Sequence, residues 1–359
     1  MRSLSVPARI ATIAALFGLT LTGCGSGSSS PTQSPTAPTP RAVVLVSGLA
    51  TQTPFTTTTQ KCEQGLSAGI SFSALRDGLI AAGQQVFTAP AQSGPTEVTS
   101  TSGLGASSQC PQPLPTSMTI DTTASIDAGG ANLVSFLQYL HDTYQLETVD
   151  LVGYSMGGLF SRSAIKLLKD KGAPITVRSL TTLGTPWTGT YPADFANGSL
   201  PLSVCKGDAT CLSVLPGYRQ LSDEEGPQGA AAAIATDRLQ GPGGWNARQG
   251  GALDGIPVTL VGGDFFRKPG GVPRVWPNDG IVSEQSALAS GIPKSILPRR
   301  ACVTRPDVHT VDLAQAQQQA WTTAITWDPA VVAVVDAAVK GAGSAVAVPD
   351  GQGCPASAA

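Results

Sequence analysis

One stretch of this chain leaves its backbone little choice. Val149-Asp150-Leu151-Val152 is a short, mostly apolar run of the kind buried as a strand. Ala164-Ile165-Lys166-Leu167-Leu168 reads as helix, ended near Gly172. Between them lies Gly153-Tyr154-Ser155-Met156-Gly157-Gly158, which reads as a tight strand-to-helix turn with the serine hydroxyl at its tip. Glycine is needed beside the serine because side chains there would collide with the strand and helix packed around the turn. The G-x-S-x-G pattern alone is weak in a chain with 41 glycines, and it recurs at Gly65-Leu66-Ser67-Ala68-Gly69. That copy follows a threonine run and Lys61-Cys62-Glu63 instead of a strand, so Ser155 alone meets the requirement.

The rest of the chain repeats the alternation. Ala42 to Val46 is a continuous apolar run suited to a strand buried on both faces, and residues 72–82 have helical spacing through Phe72, Leu75, Leu79 and Ile80. A helix is predicted from about Ala131 to Tyr144, with strands at Val177–Leu183 and Pro257–Val261. Asp328-Pro329 supplies an N-cap and first-turn proline for a last helix running to about Lys340. Alternating strands and helices imply an α/β domain over residues 42–359, a mostly parallel sheet with helices on both faces. Residues 88–118 read as an irregular excursion. The alternation lapses across 187–255, a length that suits a lid or cap insertion.

The N-terminus reads differently. Arg2 and Arg9 precede an apolar run from Ile10 to Leu21, the pattern of an export signal over residues 1–23 and too short to span a bilayer. Leu21-Thr22-Gly23-Cys24 resembles the lipobox of bacterial lipoproteins, which implies lipidation at Cys24 and an anchor on the extracytoplasmic side of the membrane. Residues 24–41 then form a flexible Ser/Thr/Pro linker. With Cys24 set aside, six cysteines remain, an even number that suits disulfides in an exported chain. The sequence-local pairing is Cys62–Cys110, Cys205–Cys211 and Cys302–Cys354.

Composition removes other functions. A net charge of −2, with basic residues scattered, gives no footprint for nucleic acid. Two histidines exclude a multi-histidine metal cage, and no cofactor is expected.

Residues 145–160 resemble the nucleophile elbow of bacterial α/β-hydrolase lipases and esterases, and Leu183-Gly184-Thr185-Pro186 is similar to a motif after the next strand of that family. The resemblance implies Ser155 as nucleophile and the Met156 N–H as one oxyanion donor. Family members often have His where Tyr154 stands. A serine needs a base, and the family order of serine, acid, histidine admits His309 but not His141, which precedes the elbow. For the acid, Asn278-Asp279-Gly280 resembles the acid-bearing segment of such lipases, with Asp264 as the rival just after the 257–261 strand. Val46-Ser47-Gly48-Leu49 occupies the second oxyanion loop, where the family usually has His-Gly before an apolar residue, and the Leu49 N–H is the expected donor. Val311 stands where some relatives place a calcium-ligating Asp, so no metal is expected. The implied function is a membrane-tethered serine hydrolase acting on carboxylic, lipid or acyl esters. An acyltransferase with the same triad and a non-catalytic envelope lipoprotein acting as a binding module are the alternatives.

Overall fold

The structure is a computed structural model that describes residues 41–59, 67–99, 113–316, 318–342 and 354–355. The export signal, Cys24, the linker and the Cys62–Cys110 pair lie outside the described residues. All described residues belong to one compact unit, Thr39–Ala359.

The elements run in the order β1 (Arg41–Val46), α1 (Gly69–Ala81), β2 (Val86–Thr88), β3 (Ala91–Gln92), β4 (Ile120–Asp121), α2 (Ile126–Tyr144), β5 (Thr148–Tyr154) and α3 (Gly157–Lys171). They continue as β6 (Thr176–Leu183), α4 (Tyr191–Ala196), α5 (Ala209–Glu225), α6 (Ala230–Ala233), α7 (Thr236–Gln240), β7 (Val258–Gly263), α8 (Glu284–Ala287), β8 (Arg300–Arg305), α9 (Val311–Ala316) and α10 (Pro329–Gly341). Six strands form one sheet in the order β2-β1-β5-β6-β7-β8, every pair parallel. This is an α/β architecture built on a wholly parallel sheet.

The apolar runs explain why the sheet is covered twice. Along β1, Ala42, Val44 and Val46 join one core cluster, while Val43 and Leu45 join another. The first cluster takes Leu133, Phe136, Leu137 and Leu140 from α2 and Leu159, Phe160, Ile165 and Leu168 from α3. The second takes Phe72, Leu75 and Leu79 from α1 and Val331, Val335 and Val339 from α10. Each such side chain contributes about 1.5–3 kcal/mol on burial, and period-two alternation needs apolar partners on both faces.

Some boundaries differ from the sequence reading. Helix α2 begins at Ile126, not near Ala131, because Ser125 Oγ accepts from the Ala128 N–H and caps it there. A Cβ on Gly129 would stand 2.6 Å from the Phe160 ring, so this early turn can pack closely on α3 only as glycine. Strands β2 and β8 carry no apolar run long enough to stand out. Residues 187–255 contain α4 to α7, a largely helical insertion between β6 and β7.

Among the described residues two disulfides are present, Cys205–Cys211 in the insertion and Cys302–Cys354. The second fastens the chain end to edge strand β8, where Arg300 Nη2 also donates to the Pro355 carbonyl at 3.2 Å. Closing a loop with a sequence separation of 52 should constrain the unfolded chain by up to about 4 kcal/mol. Cys302→Ala with Cys354→Ala is expected to lower the urea midpoint accordingly, and an unchanged midpoint would refute the estimate.

Candidate active site

Strand β5 ends at Tyr154 and α3 begins at Gly157, so the turn between them has two residues, Ser155 and Met156. Ser155 has φ 51, a left-handed conformation that non-glycine residues rarely adopt, and it is half-buried among fully buried neighbours. Two hydrogen bonds hold it there. The Ser155 N–H donates to the Leu183 carbonyl and the Thr185 hydroxyl donates to the Ser155 carbonyl, both at 2.8 Å. A Cβ on Gly157 would lie 2.0 Å from the Val46 carbonyl oxygen, so the start of α3 presses directly on the end of β1. Ser67, the other G-x-S-x-G serine, sits in the turn before α1.

The loop after β1 reaches the same turn. A Cβ on Gly48 would be 2.7 Å from Ser155 Cβ and 2.8 Å from the Met156 nitrogen. Thr51 shapes the loop by donating its hydroxyl to the Gly48 carbonyl at 2.7 Å. Leu49 packs against the core beside it. Met156 is the N-cap of a 15-residue helix, so its N–H lies just ahead of the leading N–H groups that lack intrahelical partners and carry the positive end of the helix dipole. The Ser47 hydroxyl is buried with no hydrogen-bond partner among the described residues.

Asp279 lies on the loop following β7. Its Oδ1 accepts the Ile281 and Val282 N–H groups at 3.0 and 2.8 Å. A Cβ on Gly184 would lie 2.8 Å from Asp279 Oδ2, which puts that oxygen beside the residue following Leu183. Burial pushes the Asp279 carboxyl up to about 7, the two N–H groups opposing the shift and the charge of Asp312 adding to it. The rival Asp264 is committed elsewhere. It pairs with Arg267 through two contacts of 2.7 and 3.2 Å and accepts the Asp307 N–H at 3.1 Å.

His309 follows β8, and the next residue is tied to the acid's backbone, with the Thr310 N–H donating to the Asp279 carbonyl at 2.7 Å. Its fully buried ring faces other partners. Nδ1 is 2.7 Å from the Thr310 carbonyl, while Nε2 is 3.0 Å from Thr323 Oγ1 and 3.2 Å from the Ala320 carbonyl. A carbonyl only accepts, so Nδ1 carries a proton in this seat, while Nε2 faces the Ala320 carbonyl and the oxygen of the Thr323 hydroxyl, which itself donates to the Ala320 carbonyl at 2.8 Å. Among the described residues no hydrogen bond joins the His309 ring to Ser155 or to the Asp279 carboxylate. The three segments converge; the three side chains are not connected. Residues 320–325 impose this seat, since the His309 N–H donates to the Thr323 carbonyl and the Ile325 N–H to the His309 carbonyl, both at 2.9 Å. His141 is distant in role, its Nδ1 bonded to the Leu146 carbonyl at 2.9 Å near the end of α2.

Residues 115–205, which include the elbow, match a family model described as "Putative serine esterase (DUF676)". No curated protein matches the chain. Among solved structures, it is similar to the Bacillus licheniformis lipase BlEst2 in mature form, at 17% identity and TM-score 0.44, covering 77% of this chain and 88% of that one. It is also similar to a thermophilic esterase from Thermogutta terrifontis with malate bound, at 15% identity and TM-score 0.41, covering 85% and 92% of the two chains.

The buried acid makes a prediction about pH. The Asp279 carboxyl rises from an ordinary 3.8 to about 7 on folding, so over that interval the folded state keeps a proton the unfolded state has lost. Stability then falls as pH rises through the interval, by at most about 1.4 kcal/mol per unit. Asp279→Asn should therefore be more stable than the parent at pH 8, by up to about 4 kcal/mol, with the advantage shrinking towards pH 4.5. Urea unfolding at the two pH values checks this, and a difference independent of pH would contradict it.

Proposed function

We propose that this chain is a serine hydrolase of carboxylic esters, working through an acyl-enzyme. The observation that carries the reading is Ser155 at φ 51 on a two-residue turn between β5 and α3, with Gly48 pressed against it. That geometry presents a hydroxyl beside the Leu49 and Met156 main chain, where an oxyanion would be held. The match to a serine esterase family over 115–205 supports the same reading.

In this mechanism Ser155 attacks the ester carbonyl and His309 takes its proton. Asp279 orients the imidazole and stabilises its protonated form. The Leu49 and Met156 N–H groups hold the oxyanion; its collapse breaks the ester C–O bond, His309 passes its proton to the leaving alcohol, and water, deprotonated by His309, then cleaves the acyl-enzyme to release the acid and restore Ser155. For this the His309 ring turns out of its seat between Thr310 and Thr323, bringing Nδ1 to Asp279 and Nε2 to Ser155. Asp279 suits the acid role better than Asp264 because no cation engages it among the described residues and it already adjoins the histidine loop. The lipobox-like Cys24 and the linker would tether the enzyme outside the cytoplasmic membrane, giving it access to lipid or acyl esters.

A fluorophosphonate probe tests the nucleophile. Labelling is expected in the wild type and in Ser67→Ala, and should vanish in Ser155→Ala. Folded wild type that takes no label would favour a non-catalytic binding module. Nitrophenyl esters of increasing chain length test the substrate class; activity confined to acetate would reject the lipid-ester version.

A further inference from the structure

The residue before the nucleophile does more than end a strand. Tyr154 is 1% exposed, and its ring meets Phe72 edge-on at 6.4 Å. Its hydroxyl reaches across to the histidine loop, which lies more than 150 residues away in sequence. It is 2.5 Å from Thr310 Oγ1 and 3.3 Å from Asp312 Oδ2, and it accepts the Val311 N–H at 3.2 Å. Thr310 Oγ1 in turn lies 3.0 Å from Asp312 Oδ2. One assignment of protons satisfies the set: Val311 N–H donates to Tyr154, Tyr154 O–H to Thr310, and the Thr310 hydroxyl to the Asp312 carboxylate. A single phenol thus contacts three consecutive residues, beginning one position after His309.

We infer that Tyr154 is a positioning residue, whose hydroxyl fixes the backbone of the histidine loop at a set distance from Ser155. The inference rests on the Ser155–Asp279–His309 reading. The covalent path is short, because Tyr154 and Ser155 share a peptide bond and Tyr154 is the last residue of β5 in the middle of the sheet. His309 is flanked by fastened neighbours. The Val308 carbonyl accepts the Phe265 N–H at 3.3 Å, and Thr310 is held by both Asp279 and Tyr154. The backbone is pinned while the ring can exchange one set of partners for another. A pinned backbone narrows the positions the ring can take up relative to Ser155, and proton transfer tolerates little misplacement.

Tyr154→Phe keeps the ring and removes the tether; Thr310→Val removes the other end. In Tyr154→Phe, kcat on a short nitrophenyl ester should fall about tenfold or more with KM unchanged. The rate of fluorophosphonate labelling should fall by a similar factor. Adding Thr310→Val should cost little further, since both changes break one network. Hydrogen exchange of a peptide covering residues 308–314 should quicken about tenfold, a readout that does not depend on turnover. Wild-type kcat in a labelled Tyr154→Phe enzyme overturns the positioning role, even if exchange quickens, and so does exchange that stays at the wild-type rate. Failure of the triad reading looks different: folded wild type takes no label, and the positioning role falls with it.

Discussion

Everything at the candidate site depends on how closely three main-chain segments approach one another. The end of β1, the turn after β5 and the start of α3 meet with no room for a methyl group, as the 2.0 Å gap between a hypothetical Gly157 Cβ and the Val46 carbonyl measures. The same crowding puts Gly48 against Ser155 and leaves Ser155 in a left-handed conformation. Such a residue costs about 1–3 kcal/mol of backbone strain. Hydrogen bonds to Leu183 and from Thr185 offset part of it, and those residues follow directly from the next strand. The strain is therefore held by the sheet, and a loop of the same sequence could not hold it.

The second organising constraint is desolvation. Asp279 sits where its charge is disfavoured, with two N–H groups on one oxygen and no ion pair to a cation among the described residues. An acid in that state gains from a positively charged neighbour. In the proposed mechanism the ionic requirement of the acid and the proton requirement of the serine are both met by the His309 imidazole. The seat that the ring now occupies, between the Thr310 carbonyl and the Thr323 hydroxyl, satisfies its nitrogens but neither of these requirements.

How much of this the sequence disclosed follows from which contacts are local. The elbow was legible because strand, turn and helix signals fall within twenty consecutive residues, and the Asp328 cap was legible because its partner Ala330 is two residues away. Strand β8 was not, because an edge strand needs only one neighbour and its six residues include an arginine at each end. His309 could be chosen by chain order, but its ring orientation is set by residues 320–325 through pairing that no motif announces. Tyr154 could be seen only as a departure from the usual histidine. The reason for it lies in Thr310 and Asp312, more than 150 residues away, a pairing that no local pattern announces.

A buried cation extends the argument to the helical insertion. Arg162 on α3 is wholly buried, with its guanidinium 4.1 Å from the Trp187 ring and 4.7 Å from the Trp245 ring. Nη1 donates to Asn246 at 2.8 Å, while Nε and Nη2 have no partner among the described residues. Desolvation lowers its pKa to about 9, which still leaves it charged at neutral pH. Burying an unpaired charge costs several kcal/mol, and two desolvated cation–π contacts return about 2 kcal/mol each. The balance favours the cation only while both rings stay over it. Trp187 begins the insertion and Trp245 lies near its far end, and Asn246 also donates to the Trp187 carbonyl at 2.8 Å. Lifting either end of the insertion would uncover a charge on the helix that Ser155 leads into, so the two ends of the insertion are clamped to the nucleophile helix by the same group.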